Sequence, residues 1–187
     1  MDSVSTGPSG KRILVETRGQ IASIPARHGV MRMLAQMPAT RSRYPEWSPD
    51  GKQVAFMSDR SGEWELWVCN ADGTGVPKQL TTRHYGPLAR PVWSPNGKYI
   101  AMGDRETRIT LVNVQTGRAV LVDQADRSGS YNSYNTSYRF SPDSKWLTYN
   151  KTMTNWQSAV FIYNISSAKA VQVTPLRNEL LCTLFQF

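Results

Sequence analysis

The sequence predicts an all-β protein built from a repeated unit of four short antiparallel strands, and a recurring ten-residue string supports this prediction. WSPDGKQVAF at 47–56 returns as WSPNGKYIAM at 93–102 and as FSPDSKWLTY at 140–149. Spacings of 46 and 47 residues between the leading aromatics are typical of a supersecondary unit repeated along a chain. Four short strands per unit of this length, with no sustained helical periodicity, indicate the blades of a β-propeller.

Each copy follows the same order of elements. A short strand ends at the aromatic residue, and a turn such as Pro49-Asp50-Gly51 follows, in which proline fixes φ and Asp-Gly favours a positive φ. In the strand after the turn, apolar residues alternate with polar ones. Equivalent positions of the three copies hold Val54, Ile100 and Leu147, so we expect these residues to face one core. The remaining strands of the three copies are predicted at 66–70 and 77–81, at 109–113 and 119–122, and at 160–164 and 170–174.

The repeat also predicts the domain organisation. We expect one partial propeller domain over 11–187, with blades at about 11–36, 44–82, 90–124 and 137–174 and an extra C-terminal strand at 175–187. Residues 1–10 are rich in Gly and Ser and are interpreted as a disordered tail, so the first blade is expected to lack its inner strand. The prediction is therefore about three complete blades and one incomplete blade.

The apolar C-terminal segment is a candidate to complete that first blade by strand exchange, because an open sheet edge is a template for pairing. Pairing within one chain would give a small ring, and pairing between copies would give a homo-oligomer such as a dimer. The candidate residues are Leu180, Leu181, Leu184 and Phe185.

Composition and charge narrow the classes of partner that this protein is expected to bind. The net charge is +8, and five arginines without an acid lie between Thr17 and Tyr44, but the rest of the excess is spread evenly, so nucleic acid is an unlikely partner. No apolar run approaches the ~20 residues of a membrane helix, and no export signal is visible, so we expect a cytoplasmic protein without a membrane partner. Cys69 and Cys182 are interpreted as reduced thiols.

No motif predicts catalysis. A nucleophile elbow is absent, and His28 and His84 lie in predicted loops. Asp50, Asp72 and Asp143 fall in turns that favour aspartate, so no metal site and no cofactor are predicted. We therefore expect no enzymatic activity from this chain.

Two groups of residues are assigned structural or binding roles by position. Trp47, Trp93 and Phe140 are predicted to pack between adjacent blades. The longest predicted connection between blades, 123–136, contains candidates to clamp a peptide by stacking and hydrogen bonding, although a long polar loop without a ligand remains the alternative. These candidates are Tyr131, Asn132, Tyr134 and Asn135.

The stretch from RGQIASIPARHG at 18–29 through WSPDGKQVAFMSDRSGEWELWV to DGTGVPKQLT at 72–81 resembles the N-terminal propeller of tricorn-type proteases and, more distantly, TolB-type propeller repeats. The resemblance covers about 11–174, and the sequence departs from the family pattern from Pro175 onward. It implies a propeller that would stand, in such proteases, before PDZ and serine-protease domains and would filter peptides on their way to the active site.

Three functional classes follow. The first is a non-catalytic propeller fragment that acts as a scaffold or a peptide- or protein-binding module and associates with itself. The second is the substrate-gating part of a tricorn-like serine protease whose catalytic domains are missing from this chain. The third is a binder of acidic partners or nucleic acid through the arginines between Arg18 and Arg43.

Overall fold

The computed structural model describes residues 3–82, 90–125, 137–153 and 157–176, and within these ranges every regular element is a β-strand. Sixteen strands form four separate sheets, each with four antiparallel strands in chain order. Blade 1 consists of β1 Ser3–Thr6, β2 Arg12–Thr17, β3 Gln20–Pro25 and β4 Arg32–Leu34. Blade 2 consists of β5 Ser42–Trp47, β6 Gln53–Ser58, β7 Glu65–Asn70 and β8 Lys78–Gln79.

Blade 3 consists of β9 Val92–Trp93, β10 Tyr99–Gly103, β11 Arg108–Asn113 and β12 Ala119–Gln124. Blade 4 consists of β13 Tyr138–Phe140, β14 Trp146–Thr152, β15 Ser158–Asn164 and β16 Lys169–Gln172. The first strands of successive blades lie side by side, which identifies them as the inner strands of a propeller. No described segment forms a helix that is long and apolar enough to span a bilayer.

The apolar cores lie between blades, because each sheet presents one row of apolar side chains to each neighbour. Between blades 1 and 2 the core contains Leu14, Ile21, Leu34, Val54 and Phe56. Between blades 2 and 3 it contains Met57, Leu66, Leu80, Ile100 and Met102. Between blades 3 and 4 it contains Ile109, Leu111, Leu147, Tyr149 and Tyr163. Three interfaces thus join the four blades into one arc.

The prediction of an incomplete first blade is wrong. Residues 3–6, assigned to a disordered tail, form the inner strand β1, which pairs with β2 along its whole length. Blade 1 is therefore complete, and the place that the C-terminal segment was predicted to fill is already occupied. Leu180, Leu181, Leu184 and Phe185 themselves lie outside the described residues.

A fourth copy of the repeat explains this correction. TGPSGKRI at 6–13 aligns with WSPDGKQV at 47–54, and Thr6 pairs with Ile13 as Trp47 pairs with Val54. The copy lacks the leading aromatic and the serine of the other copies, so its Gly, Ser and Pro content resembles that of a disordered tail. A Cβ on Gly7 would lie 3.0 Å from the Arg12 carbonyl oxygen and 3.3 Å from the Trp47 ring, so glycine fits this position without displacing either group.

Candidate functional site

The repeated Ser-Pro-Asp-Gly turns are closed by hydrogen bonds of their own. The Ser48 hydroxyl donates to Asp50 Oδ1 at 2.6 Å and accepts the Gln53 N–H at 2.9 Å, while Asp50 Oδ1 also accepts the Lys52 N–H. The same bonds recur around Ser94 with Asn96 and around Ser141 with Asp143. The bond from Ser48 is the main reason that the pKa of Asp50 lies below its ordinary value. Asp50 and Asp143 therefore stabilise their own turns.

The leading aromatics connect successive blades. The Trp47 indole N–H donates to the Ser5 carbonyl, and the Trp93 indole N–H donates to the Glu46 carbonyl, each at 3.3 Å. Trp93 lies in the core between blades 2 and 3, Trp47 packs against the core between blades 1 and 2, and Phe140 packs against the core between blades 3 and 4. Phe140 has no N–H, so its blade lacks this bond.

A polar cluster at Glu46, in the inner strand of blade 2, links that strand to blades 1 and 3. Glu46 accepts a hydrogen bond from the Ser5 hydroxyl at 3.1 Å and pairs with Arg90 Nη1 at 3.2 Å. Burial raises the pKa of Glu46 above its ordinary value, and the charge of Arg90 offsets part of that rise. The Arg90 side chain is 42% exposed against 23% for Glu46, so the cation is the more accessible partner.

A second link between inner strands comes from a buried tyrosine. The Tyr138 hydroxyl donates to the Arg90 carbonyl and accepts the Gly103 N–H, each at 3.0 Å, so blade 4 is tied to two segments of blade 3. Burial raises the pKa of Tyr138 above its ordinary value. The hydroxyl therefore stays protonated and keeps the hydrogen that it donates to the Arg90 carbonyl.

A cavity of about 610 Å³ opens between blades 2 and 3. It lies at the end of the blades that carries the Ser-Pro-Asn-Gly turn of blade 3 and the connections between third and outer strands. A second cavity, of about 180 Å³, lies between blades 1 and 2 beside Met33, Gln36 and Thr74. The larger one is called the 2/3 groove below; its lining residues are Gln53, Val68, Cys69, Asn70, Val76, Lys78, Leu80, Gly97, Lys98, Asn113, Val114 and Gln115.

A charged cluster joins blades 3 and 4. Asp123 accepts the Tyr149 hydroxyl at 2.6 Å and pairs with Lys151 Nζ at 2.9 Å, and Tyr149 stacks on Phe161 with ring centroids 5.6 Å apart. Burial and the bond to Asp123 raise the pKa of Tyr149. Because Asp123 of blade 3 bonds both Tyr149 and Lys151 of blade 4, these polar groups stabilise the interface between the two blades.

The remaining residues singled out from the sequence do not form a binding or catalytic site among the described residues. Tyr131, Asn132, Tyr134 and Asn135 lie outside the described residues, as do His84 and Cys182. His28 is exposed in the connection between β3 and β4. Cys69 is buried, and burial raises the pKa of its thiol to about 12, so the reactive thiolate is disfavoured. Among the described residues, no three His, Cys, Asp or Glu side chains form a group that could hold a metal ion.

Sequence reasoning missed the buried Glu16. Its carboxylate accepts the Tyr44 N–H at 2.9 Å across the interface between blades 1 and 2. Tyr44 has a φ of 54° in the bulge that β5 makes between Arg43 and Glu46, so its N–H leaves the ladder and needs another acceptor. The Tyr-Pro dipeptide at 44–45, which interrupts a strand, was the available signal, because Pro45 cannot donate to a ladder.

Comparison with known proteins places this architecture in a family. The family model that matches is the tricorn protease second β-propeller domain, over residues 1–178. This match confirms the resemblance to tricorn-type proteases, and it specifies the second propeller, whereas the resemblance was drawn to the N-terminal one.

Relatives and solved structures agree with that match. The chain is 26% identical over 189 residues to Tricorn protease homolog 1 of Streptomyces coelicolor, covering 94% of this chain and 16% of that protein. It is 28% identical to the Uncharacterized peptidase YuxL of Bacillus subtilis, covering 73% of this chain and 24% of that protein. The crystal structure of the tricorn protease superimposes with a TM-score of 0.77 at 17% identity, covering 93% of this chain and 18% of that one. The chain thus spans a quarter or less of each of these proteins.

Proposed function

Because the chain belongs to the family of the tricorn protease second β-propeller domain, we propose that it is a non-catalytic module that binds peptides or proteins for a larger assembly. The observation that carries this proposal is the 2/3 groove. Its volume of about 610 Å³ lies within the range of about 300–1,000 Å³ typical of ligand sites. A cytoplasmic location is part of the same proposal.

The frame around the groove supports a binding role. Blades 2 and 3 share a core that includes Leu66, Leu80, Trp93 and Ile100, and the Trp93 indole is bonded to the backbone of blade 2. A groove between two rigidly joined sheets keeps its shape without a ligand, so less ordering free energy opposes binding.

The test is a binding survey with a library of short labelled peptides and the full chain, read by fluorescence anisotropy. We expect a subset of the peptides to bind saturably and to be recovered uncleaved. Absence of binding across the library would contradict the binding role. Hydrolysis of any peptide by the purified chain alone would contradict the non-catalytic assignment.

A second candidate function is the gating of substrates in a tricorn-like protease. The accessible Arg90, held by Glu46 in the inner strand of blade 2, favours this alternative, since a propeller channel lined by charge can select peptides. The test is a chimera of the Streptomyces coelicolor homolog that carries this segment in place of its own. Gating predicts that Arg90→Gln alters hydrolysis of long peptides and leaves short ones unchanged; equal effects on both would oppose it.

Self-association is a further part of the proposal, now through a blade face because blade 1 is complete. Val171 lies in the outer strand β16 of blade 4 and Val173 follows that strand directly, and both side chains are exposed. Light scattering should give a multiple of the 21.0 kDa chain mass, and Val171→Lys should reduce it. Val30→Lys changes an exposed valine of blade 1 and is the matched control. A monomer at all concentrations would contradict self-association.

A further inference from the structure

The 2/3 groove lies beside the connection between β7 and β8 and the start of the short outer strand β8. The connection from β7 to β8 runs over seven residues, 71–77, whereas β11 and β12 are joined by five, 114–118. Gly73 and Gly75 have φ values of 79° and 74° in this connection, a conformation that glycine adopts without steric cost, and Pro77 has no N–H to donate to β7. Val76 and Lys78 of blade 2 line the groove together with Gly97 and Lys98 of blade 3.

The floor of the groove is apolar and its rim is cationic. Val68 and Leu80 are buried at the base, and Val76 is exposed above them. Lys78 approaches from blade 2 and Lys98 from the turn of blade 3, and the described residues that line the groove include no Asp or Glu. The described lining therefore offers two ammonium groups and no carboxylate.

The two lysines are held differently. Lys78 Nζ donates to the Gln115 carbonyl at 3.1 Å, a bond that crosses the groove and fixes the ammonium group at its rim. The Lys98 backbone is fixed at both ends, since its N–H donates to Asn96 Oδ1 and its carbonyl accepts the Val114 N–H. Within the described part of the chain, its ammonium group has no ion pair, so it can turn toward an anion.

Side-chain amides supply the remaining polar chemistry. Asn113 Oδ1 accepts the N–H groups of Gln115 and Thr116, which leaves its amide nitrogen to donate elsewhere. Gln53 and Gln115 add amides on the two sides of the groove. Amides that donate and accept match the backbone of an extended peptide, and the apolar floor matches an aliphatic side chain.

We propose that the 2/3 groove binds an acidic peptide segment, with a carboxylate between Lys78 and Lys98 and an aliphatic side chain over Val68 and Leu80. This inference deepens the proposed binding function and rests on it. The smaller cavity of about 180 Å³ between blades 1 and 2 provides the internal contrast, because none of the described residues that line it is charged. The carboxylate can come from a glutamate or aspartate side chain or from a peptide C-terminus.

The experiment uses the full chain and a fluorescein-labelled peptide with two glutamates flanking a leucine and an amidated C-terminus. Two companion peptides replace the glutamates with glutamines, one amidated and one with a free C-terminal carboxylate. Lys78→Gln and Lys98→Gln should each weaken binding of the acidic peptide about threefold, and both together about tenfold, as expected for exposed ion pairs. Lys52→Gln is the matched control: it occupies the equivalent turn of blade 2 and does not line the groove.

Each outcome of this experiment either supports or overturns the proposed groove site. Selective weakening by the two groove variants, with tighter binding of the acidic peptide than of both glutamine peptides, supports a side-chain carboxylate. Equal binding of the free-carboxylate companion and the acidic peptide means that the site accepts either carboxylate, tighter binding of the companion assigns the site to a peptide C-terminus, and both results support the groove. An equal effect of Lys52→Gln, or binding that ignores Lys78 and Lys98, overturns the inference. Displacement by a short single-stranded RNA at lower concentration than the peptide would also overturn it.

The two proposals fail separately. If library peptides bind but neither groove variant affects them, the binding function stands and the groove is the wrong site. If the acidic peptide and the whole library fail to bind a chain whose circular dichroism is that of folded β-structure, both proposals are wrong.

Discussion

One position of the repeat is buried in the first two blades and exposed in the fourth. Leu34 and Leu80 are 1% and 5% exposed, whereas Val173, which bonds to Val160 as Leu80 bonds to Leu66, is 48% exposed. All three side chains are aliphatic, so local sequence does not account for the difference. Leu34 and Leu80 belong to cores shared with a following blade, and none of the three apolar cores contains Val173. Burial in this fold is set by the neighbouring blade.

The largest test of this comparison truncates the aliphatic side chain at both positions. Leu34→Ala should lower the free energy of unfolding by about 3 kcal/mol, because it removes buried methyl groups and leaves a cavity between blades 1 and 2. Val173→Ala should change it by less than about 0.5 kcal/mol. Urea titration followed by tryptophan fluorescence measures both. Equal losses would mean that the outer side of blade 4 is covered in solution.

A second test concerns the inner strands, where blades 3 and 4 differ. Trp93→Phe gives blade 3 the residue type that blade 4 has at Phe140, and it removes the hydrogen bond to the Glu46 carbonyl. We expect a loss of about 2 kcal/mol, from the bond and the smaller ring together. Urea denaturation of Trp93→Phe and of the control Trp146→Phe, a half-exposed position on blade 4, measures the difference. A loss no larger than that of the control would show that the indole N–H contributes nothing.

A smaller effect is expected in the turns. Ser94→Ala removes a buried hydroxyl that donates to Asn96 and accepts the Tyr99 N–H, and it should cost about 1 kcal/mol. Ser61→Ala removes an exposed hydroxyl in the connection between β6 and β7 and should cost almost nothing. Thermal unfolding of the two variants provides the comparison. Equal midpoints would contradict the assignment of this hydroxyl to turn stability.

The repeat made most of this fold predictable, and the exceptions have physical causes. The strands of blades 2 to 4 follow from turn chemistry and alternation, which are local properties. The inner strand of blade 1 was missed because Thr6 and Gly7 replace the aromatic and the serine by which the other copies were recognised. Gly7 lies close to the Trp47 ring, since a Cβ there would be 3.3 Å from it, and that contact exists only once two blades are packed.

The groove was unpredictable for a similar reason. Lys78 and Lys98 are 20 residues apart in the sequence, and each is an ordinary surface lysine when considered alone. Their joint position depends on the packing of blade 3 against blade 2. The link from Glu16 to Tyr44 likewise joins two blades across 28 residues. Sites between blades are properties of the packed array, whereas turns and strands are properties of one copy.

The smallest effect separates a carboxylate buried between blades from one exposed on a turn. The pKa of Glu46 is raised, mainly by burial, so its contribution to stability is present below the ordinary carboxyl pKa and is lost as pH rises through the raised value. The pKa of Asp143 is lowered, mainly by the Ser141 hydroxyl, so its contribution is present above the ordinary pKa and is lost as pH falls. Glu46→Gln and Asp143→Asn should therefore change the pH dependence of unfolding in opposite directions across the acidic range. Asparagine is tolerated at the turn position, since blade 3 has Asn96 there. Urea denaturation at several acidic pH values measures both slopes, and slopes of the same sign would mean that the charge of Arg90 outweighs the burial of Glu46.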